Sequence, residues 1–509
     1  MKLGRNLLAG LANSVWTALV SLAVIPLYLK FLGIEAYGLI GFFATTQTLL
    51  QILDLGLAPT INREVARCSA GGNLREAGKL LHTLAFVYWG MAGVIALILL
   101  ALAPLVAEYW LQSKHIPRET VAHAVALMGL VIACRWPIGL YQGALMGAQR
   151  LTVSSGISIV MVTLGNFGAV GVLAFVSPTI QAFFVWQAGV GLVYAATIRW
   201  AAWKVVGRTA EVQFDGSQLK RVLRFSMGMS AIALSSLIFT QLDKVLLSKI
   251  LALEEFGRYM LATAVVSALY VLVTPTFNTM YPRFSALTAS GNTQKLAESY
   301  RLGTRLLATV LFPIAMTLAI FAEDLVRLWT GNPDLASSVA PVIGVLAMGS
   351  SLNGVMHFPY ALQLAHGMTR VPLSINTMLM VVVVPLIVFL APSYGALGGA
   401  IAWLVLNILY VIIGTWVTHR HLLIGLGNKW LFQDVGIPLG LSMAVALVGT
   451  YAIHGAEYPA HMKVTFGAVL ALLPPLLTLA VSPQLRTAIW NSRDSYRKGS
   501  EKGLSKPTR

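Results

Sequence analysis

Long apolar runs alternate with short polar segments along the whole chain of 509 residues. Each run has the length, roughly 20 residues, that a helix needs to cross the hydrocarbon core of a bilayer. Spans are predicted at residues 7–29, 38–61, 80–106, 121–145, 151–176, 179–198, 225–248, 259–281, 306–322, 338–365, 371–391, 395–418, 435–453 and 464–482. The pattern predicts an all-α polytopic membrane protein with about 14 transmembrane helices.

Composition excludes a soluble multidomain protein. Hydrophobic residues make up 57% of the chain and charged residues 11%, whereas a soluble domain has about 45–50% and about 25%. So few charged side chains could not cover the surface of a soluble protein of this length.

The net charge of +17 is distributed as a membrane topology would require. With the amino terminus inside, the cytoplasmic segments hold 27 of the 36 Lys and Arg residues, the outside segments 7 and the spans 2. This asymmetry follows the positive-inside rule and predicts that both termini are cytoplasmic. Anionic membrane lipids are then the expected partners of the basic segments, and nucleic acid is not predicted as a partner.

Two similar segments indicate an internal repeat. Residues Lys30–Gly38 and Lys249–Gly257 carry Lys, Leu, Glu and Gly at matching positions, 219 residues apart. Six predicted helices lie within that offset, so both halves enter the membrane in the same direction, as in transporters built from parallel repeats. Chance similarity of two short segments is the alternative.

The repeat predicts two parallel six-helix lobes plus a C-terminal helix pair. The predicted parts are an N-terminal lobe at 1–203, a cytoplasmic linker at 204–224, a C-terminal lobe at 225–420, an extra two-helix unit at 421–485 and a disordered basic cytoplasmic tail at 486–509. Such lobes suit alternating access, in which a central cavity opens to one side of the membrane and then to the other.

Only four Asp, Glu, Lys or Arg residues fall within the predicted spans: Asp54, Arg135, Asp243 and Lys244. Charges inside a membrane are costly and often mark a substrate pathway. Arg135 is the leading candidate, because its guanidinium stays charged at any accessible pH. It could bind a substrate phosphate or pair with Asp54, since the two lie roughly 21 and 24 Å below the outer boundary.

Each of the other three charges has a structural alternative. Asp54 could cap the turn that follows it, Asp243 could be a latch to a neighbouring helix, and Lys244 could reach the outer headgroups. Adjacent residues on a helix point about 100° apart, so Asp243 and Lys244 are not expected to face one spot.

Polar uncharged residues form a second set of candidates. Asn353, His357 and Tyr360 fall at i, i+4 and i+7 of one predicted helix and share a face, with Pro359 as a candidate kink. This face could bind sugar, or His357 could make an interhelical hydrogen bond.

Signatures of soluble enzymes are missing from the sequence. It contains no P-loop, no Cys/His cluster with metal spacing and no Gly-Xaa-Ser-Xaa-Gly elbow. We therefore expect a protein that is not an enzyme and that holds no metal or bound cofactor.

Several runs resemble Wzx-type polysaccharide flippases of the MOP (MATE-like) transporter superfamily. In the first half they are Val24–Leu29, Leu32–Gly38 and Asp54–Leu57 with Arg63, and in the second half Gln241–Lys244 and Phe256–Gly257. The similarity covers about residues 3–425, and its motifs also mark multidrug exporters and lipid II flippases.

The resemblance implies a bacterial inner-membrane protein that flips undecaprenyl-pyrophosphate-linked oligosaccharide from the cytoplasmic to the periplasmic leaflet. The product would feed polymerisation into O-antigen or exopolysaccharide, which makes the polymerase machinery a candidate partner. A cationic cavity is typical of the family. Arg135 fits that cavity, Lys244 would lie near the exit, and Arg5, Arg63 and Arg283 near the inner mouth.

Two departures keep other functions open. Fourteen spans match lipid II flippases better than the twelve common in Wzx proteins, although residues 7–29 lack the arginines of a lipid II flippase's first helix. A MATE-type multidrug exporter is the next alternative function. A membrane-embedded polysaccharide polymerase or ligase is disfavoured by the short outside loops.

The driving force of transport is left open by the sequence. Protons or sodium ions could drive it through Asp54 or Asp243, or removal of the product could drive it. A monomer is the default oligomeric state.

Overall fold

The computed structural model describes residues 2–54, 56–71, 74–207, 216, 237–453, 458–482 and 486. Over these ranges the chain is almost entirely helical and forms no strand beyond one isolated bridge between Gln112 and Ala252. The all-α prediction is therefore confirmed.

The helices have the following bounds: α1 Lys2–Leu50, α2 Leu57–Ala70, α3 Leu74–Leu105, α4 Arg118–Arg135, α5 Ile138–Gly147, α6 Leu151–Phe175, α7 Ile180–Val206, α8 at residues 237–250, α9 Leu253–Val266, α10 Tyr270–Ala289, α11 Thr293–Thr330, α12 Pro333–Ala365, α13 Arg370–His421, α14 Gly427–Lys429, α15 Ile437–Ile453, α16 Ala460–Leu470 and α17 Leu473–Val481. Short 3₁₀ turns at Gln51–Asp54 and Ser267–Leu269 and π turns at Val106–Trp110 and Trp430–Gly436 interrupt this series.

Eleven helical stretches of the described residues are long and apolar enough to cross a membrane. Two of them, in α1 and α13, contain two predicted spans each, separated by non-helical glycines at Gly33 (φ 79°) and Gly395 (φ 57°). Only glycine adopts positive φ without steric cost, so the chain can turn there. Residues 225–236 of another predicted span lie outside the described ranges, and the total of fourteen stays a prediction.

The described residues cluster into two compact units. The first comprises residues within Met1–Leu261 and Val384–Gly399, and the second comprises residues within Ala262–Val383 and Ala400–Arg509. The predicted lobe boundaries stay predictions. Most of the predicted linker 204–224, and residues 487–509 of the predicted tail, lie outside the described residues.

Glycines allow a close helix crossing in the first unit. A Cβ atom on Gly257 of α9 would collide with the carbonyl oxygen of Ile34, and one on Gly38 of α1 with the carbonyl oxygen of Leu253. The two repeat segments found in the sequence therefore pack backbone to backbone. Small residues at such a crossing are typical of packed membrane helices.

The buried Asp243 joins α8 to α9 in the same unit and also pairs with its neighbour on α8. The Asp243 side chain is 6% exposed and accepts a 2.6 Å hydrogen bond from the Tyr259 hydroxyl. Lys244 Nζ lies 3.1 Å from both Asp243 carboxylate oxygens. The expectation that the two neighbours cannot face one spot is wrong, because the flexible lysine stem curls back along the helix. Asp243 thus contacts a neighbouring helix, as the latch alternative requires, and that role stays a prediction.

In the second unit, α11 packs against α10, α12 and the C-terminal helices α15–α17. The carboxylate of Asp434 is fully buried and accepts from Arg301 Nε at 2.7 Å and from Arg305 Nε at 2.9 Å. Arg305 also donates to the Ser482 hydroxyl beyond α17. These contacts attach both ends of the C-terminal helical segment to one face of α11.

The Asp434 contact yields a stability prediction. Replacing Asp434 with Ala leaves the buried Arg305 and the partly buried Arg301 without their carboxylate, which we expect to lower the free energy of unfolding by about 3–5 kcal/mol. Thermal unfolding of the purified protein in detergent measures the change. Asp334→Ala is the matched control, since Asp334 is exposed in the first turn of α12. Equal melting temperatures for the two variants would contradict the anchoring role.

The Asp243 latch yields a second prediction. Asp243→Ala removes the acceptor to which both the Lys244 ammonium and the Tyr259 hydroxyl donate. When both charges are removed, only the hydroxyl loses that acceptor. We expect the Asp243→Ala, Lys244→Ala double variant to melt at a higher temperature than Asp243→Ala alone, because an unpaired buried charge costs more than a missing pair. Strictly additive losses would show that the pair contributes nothing.

Candidate functional site

Arg135 is the last residue of α4, directly before Trp136 and Pro137. Its Nη2 donates a 2.5 Å hydrogen bond to Gln187 Oε1 of α7, and its guanidinium carbon lies 5.7 Å from the centre of the Phe43 ring. Gly191 makes room for the stem, since a Cβ there would lie 3.2 Å from Arg135 Cγ. Three helices of the first unit thus hold this side chain, which remains partly accessible.

No ion pair joins Arg135 to a carboxylate within the described part of the chain. Its hydrogen-bond acceptor is the neutral amide of Gln187, so its charge is oriented without being neutralised. A guanidinium held in this way can donate hydrogen bonds to an anionic oxygen without first breaking an ion pair.

Asp54 does not pair with Arg135, which removes one of the two roles predicted for that arginine. The Tyr88 hydroxyl donates to Asp54 Oδ1, and the Ala58 amide donates to Asp54 Oδ2 at 3.3 Å. Asp54 ends a 3₁₀ turn just before α2, so its carboxylate caps the first turn of that helix. The candidate span predicted at 38–61 accordingly ends at Asp54.

Neutral polar side chains surround Arg135. Tyr28 and Tyr194 are close enough to interact with it electrostatically. The Tyr28 hydroxyl bonds to the Asn166 carbonyl at 3.1 Å, and Gln142 Nε2 donates to the Tyr194 hydroxyl at 2.7 Å. Among the described residues, the groups that interact with this positive charge are therefore neutral.

A second polar group lies in the second unit, on α12. Asn353 accepts from the Tyr270 hydroxyl at 3.0 Å and donates to Asn407 Oδ1 at 2.9 Å, and His357 Nδ1 lies 3.1 Å from the Asn353 carbonyl. Asn353, His357 and Tyr360 are all partly accessible, whereas most α12 residues between them are buried. The predicted shared face therefore exists, and its sugar-binding role stays a prediction.

Aromatic residues of α10 complete this group and were missed in the sequence. The Phe277 ring stacks with Tyr281 (centroids 5.8 Å apart) and with Tyr360 (5.9 Å), and His357 lies edge-on to it. Tyr270, Phe277 and Tyr281 are spaced i, i+7 and i+11, which places them on one face of α10. That spacing was readable, but aromatic residues in an apolar run usually indicate core packing.

The three predicted inner-mouth cations are exposed. Arg5 lies in the first turns of α1 and Arg63 in α2, both in the first unit, and Arg283 lies late in α10, in the second unit. Their proximity to a membrane surface stays a prediction.

Residues 29–338 match the polysaccharide biosynthesis protein family. A putative O-antigen transporter of Shigella flexneri is 22% identical over 80% of this chain and 97% of its own length. The teichuronic acid biosynthesis protein TuaB of Bacillus subtilis is 23% identical over 72% of this chain and 73% of its own. The lipid II flippase MurJ, solved in an inward closed conformation, is similar in fold with a TM-score of 0.66 over 93% of this chain and 99% of its own, at 14% identity.

These matches confirm the resemblance drawn from the sequence, and the long apolar helices agree with a multi-pass inner-membrane protein. Since the family match spans more than half of its residues, the chain belongs to the polysaccharide biosynthesis protein family.

Proposed function

We propose that this protein flips undecaprenyl-pyrophosphate-linked oligosaccharide repeat units from the cytoplasmic to the periplasmic leaflet by alternating access, for surface polysaccharide synthesis. The observation that carries the proposal is Arg135, a guanidinium within a span whose bonded partner is an amide rather than a carboxylate. The names of the relatives support the substrate class, since one is called an O-antigen transporter and another a teichuronic acid biosynthesis protein.

Arg135 would bind a pyrophosphate oxygen during passage. A guanidinium presents several N–H donors in a rigid plane that matches phosphate geometry. Since one hydrogen bond to Gln187 fixes its orientation, the remaining donors can serve the substrate. An unpaired cation in an apolar span is costly to keep, which supports a functional reason for it.

The other candidate residues would guide the substrate to and from this charge. Arg5, Arg63 and Arg283 would attract the pyrophosphate headgroup at the inner membrane surface, with both termini cytoplasmic. Lys244, despite its contact with Asp243, would lie near the exit. Asn353, His357 and Tyr360 would hydrogen-bond the sugar hydroxyls.

The proposed transporter is not an enzyme, needs no bound cofactor and acts as a monomer beside the polymerase machinery. Asp54 and Asp243 are the carboxylates that could bind a coupling proton or sodium ion. Lipid II flipping, multidrug export and a polymerase or ligase activity are the alternatives, and the fold likeness to MurJ alone favours none of them.

Leaflet-resolved detection of the lipid-linked oligosaccharide in a deletion strain tests the proposal. In the deletion strain we expect the intermediate to accumulate in the inner leaflet, and we expect the wild-type protein to restore its transport. Arg135→Ala should transport it at least about tenfold more slowly, because a charge-assisted phosphate contact is lost. Arg135→Lys should retain partial transport. Arg118→Ala, at the exposed opposite end of the same helix, is the matched control.

Immunoblots should show equal membrane levels for all variants. If the intermediate reaches the outer leaflet of the deletion strain, the flippase function is refuted. If the deletion strain accumulates it inside but Arg135→Ala transports normally, only the role of Arg135 is refuted.

A further inference from the structure

One surface of α10 is polar although the helix is part of an apolar span. Thr274 and Asn278, one helical turn apart, are exposed there. A surface in contact with lipid chains is apolar, and polar residues in a span face a protein interior or a water-filled cavity. This side of α10 is therefore better suited to an aqueous cavity than to lipid.

Aromatic rings border that polar surface. Phe277 lies between Thr276 and Asn278 in sequence, and its ring plane is tilted by only 5° from that of Tyr281 and by 18° from that of Tyr360. All three rings are partly accessible. Two helices thus contribute three nearly parallel ring planes, with Phe277 in the middle.

Hydrogen-bonding groups lie at the edge of these rings. His357 is edge-on to both Phe277 and Tyr270, with centroid distances of 5.9 and 6.3 Å. The Asn353 amide bonds to the Tyr270 hydroxyl on one side and to Asn407 on the other. Aromatic faces with polar groups at their rim match a pyranose ring, which has apolar C–H faces and a rim of hydroxyl groups.

We propose that this ring cluster, Tyr270, Phe277, Tyr281, His357 and Tyr360, binds a pyranose ring of the transported oligosaccharide, with Phe277 as the ring on which Tyr281 and Tyr360 stack. The inference rests on the proposed function and names the part of the substrate that this site takes. Packing of a sugar's apolar C–H face on an aromatic ring buries apolar surface and requires no charge. An undecaprenyl chain is the other candidate occupant, and the exposed Thr274 and Asn278 beside the rings disfavour it.

Binding of two lipids to purified protein in nanodiscs tests the assignment. One probe is undecaprenyl pyrophosphate, and the other is the undecaprenyl-pyrophosphate-linked oligosaccharide extracted from the host's membranes. We expect Phe277→Leu to weaken binding of the oligosaccharide-bearing lipid about tenfold, the size of one stacking contact, and to leave binding of the sugar-free lipid within about twofold.

Two further variants serve as controls. Phe277→Tyr keeps the ring and should bind both lipids as wild type does. Phe389→Leu removes a ring that is 80% exposed on α13, and it should change neither affinity. Thermal unfolding of each variant separates a folding defect from a binding defect.

Three outcomes overturn the saccharide site: equal weakening for both lipids, which would indicate contact with the shared chain; no weakening for either; or tenfold weakening by Phe389→Leu as well. Because the measurement uses purified components and no transport, it is independent of the leaflet experiment. A protein that binds the sugar selectively but flips nothing would refute the proposed function and leave this site standing.

Discussion

Charge burial in an apolar setting costs several kcal/mol per ion unless a partner compensates it. That cost explains how several buried and partly buried charges of the described residues are held. Asp434 satisfies two arginines, Asp243 satisfies Lys244, and Asp54 is bonded by a hydroxyl and a helix-terminal amide. Arg135 is held differently, because its acceptor is an amide oxygen that orients the guanidinium and leaves its charge in place. The type of partner therefore separates the paired charges from the one on which the proposed function rests.

The backbone obeys the same constraint, since every peptide group in hydrocarbon needs a partner within the helix. Turning the chain is then possible only where a residue tolerates a non-helical conformation at low cost. Gly33 and Gly395 supply such positions inside two helices of 49 and 52 residues. Glycine also determines how closely helices pack, as at Gly38 and Gly257, where any side chain would meet a carbonyl oxygen. The two similar segments noticed in the sequence thus meet at a packing contact.

The helix positions could be predicted from the sequence, because apolar length is a one-dimensional property. Rotation about the helix axis could not. Similar depth suggested an Asp54–Arg135 pair, but the turn at Gly56 (φ 76°) directs Asp54 toward α2 and Tyr88. Likewise, the angle of about 100° between adjacent residues on a helix describes where their Cβ atoms point. It does not account for the flexible side chain of Lys244.

A contact between side chains beyond the predicted spans could not be predicted for a related reason. Arg305 and Asp434 are buried against each other. They lie 129 positions apart in sequence, and no local pattern indicates the contact. The α12 face at i, i+4 and i+7 was predictable because one helix contains it. The Phe277 stack was not, because it needs the register of α10 against α12.

A transport site must release what it binds, and the arrangement around Arg135 suits that requirement. A carboxylate partner would compete with the substrate for the guanidinium, and a second arginine would hold a pyrophosphate too tightly for rapid release. One cation oriented by Gln187 offers an attraction of intermediate strength, and the neutral hydroxyls of Tyr28 and Tyr194 near it add polarity without further charge. Ring stacking has the same property, since each contact is modest and leaves no buried charge unpaired when the sugar departs. A pathway built from such weak contacts accepts a large amphipathic substrate at each stage without trapping it. Breaking each contact costs little free energy, and the next contact offsets that cost.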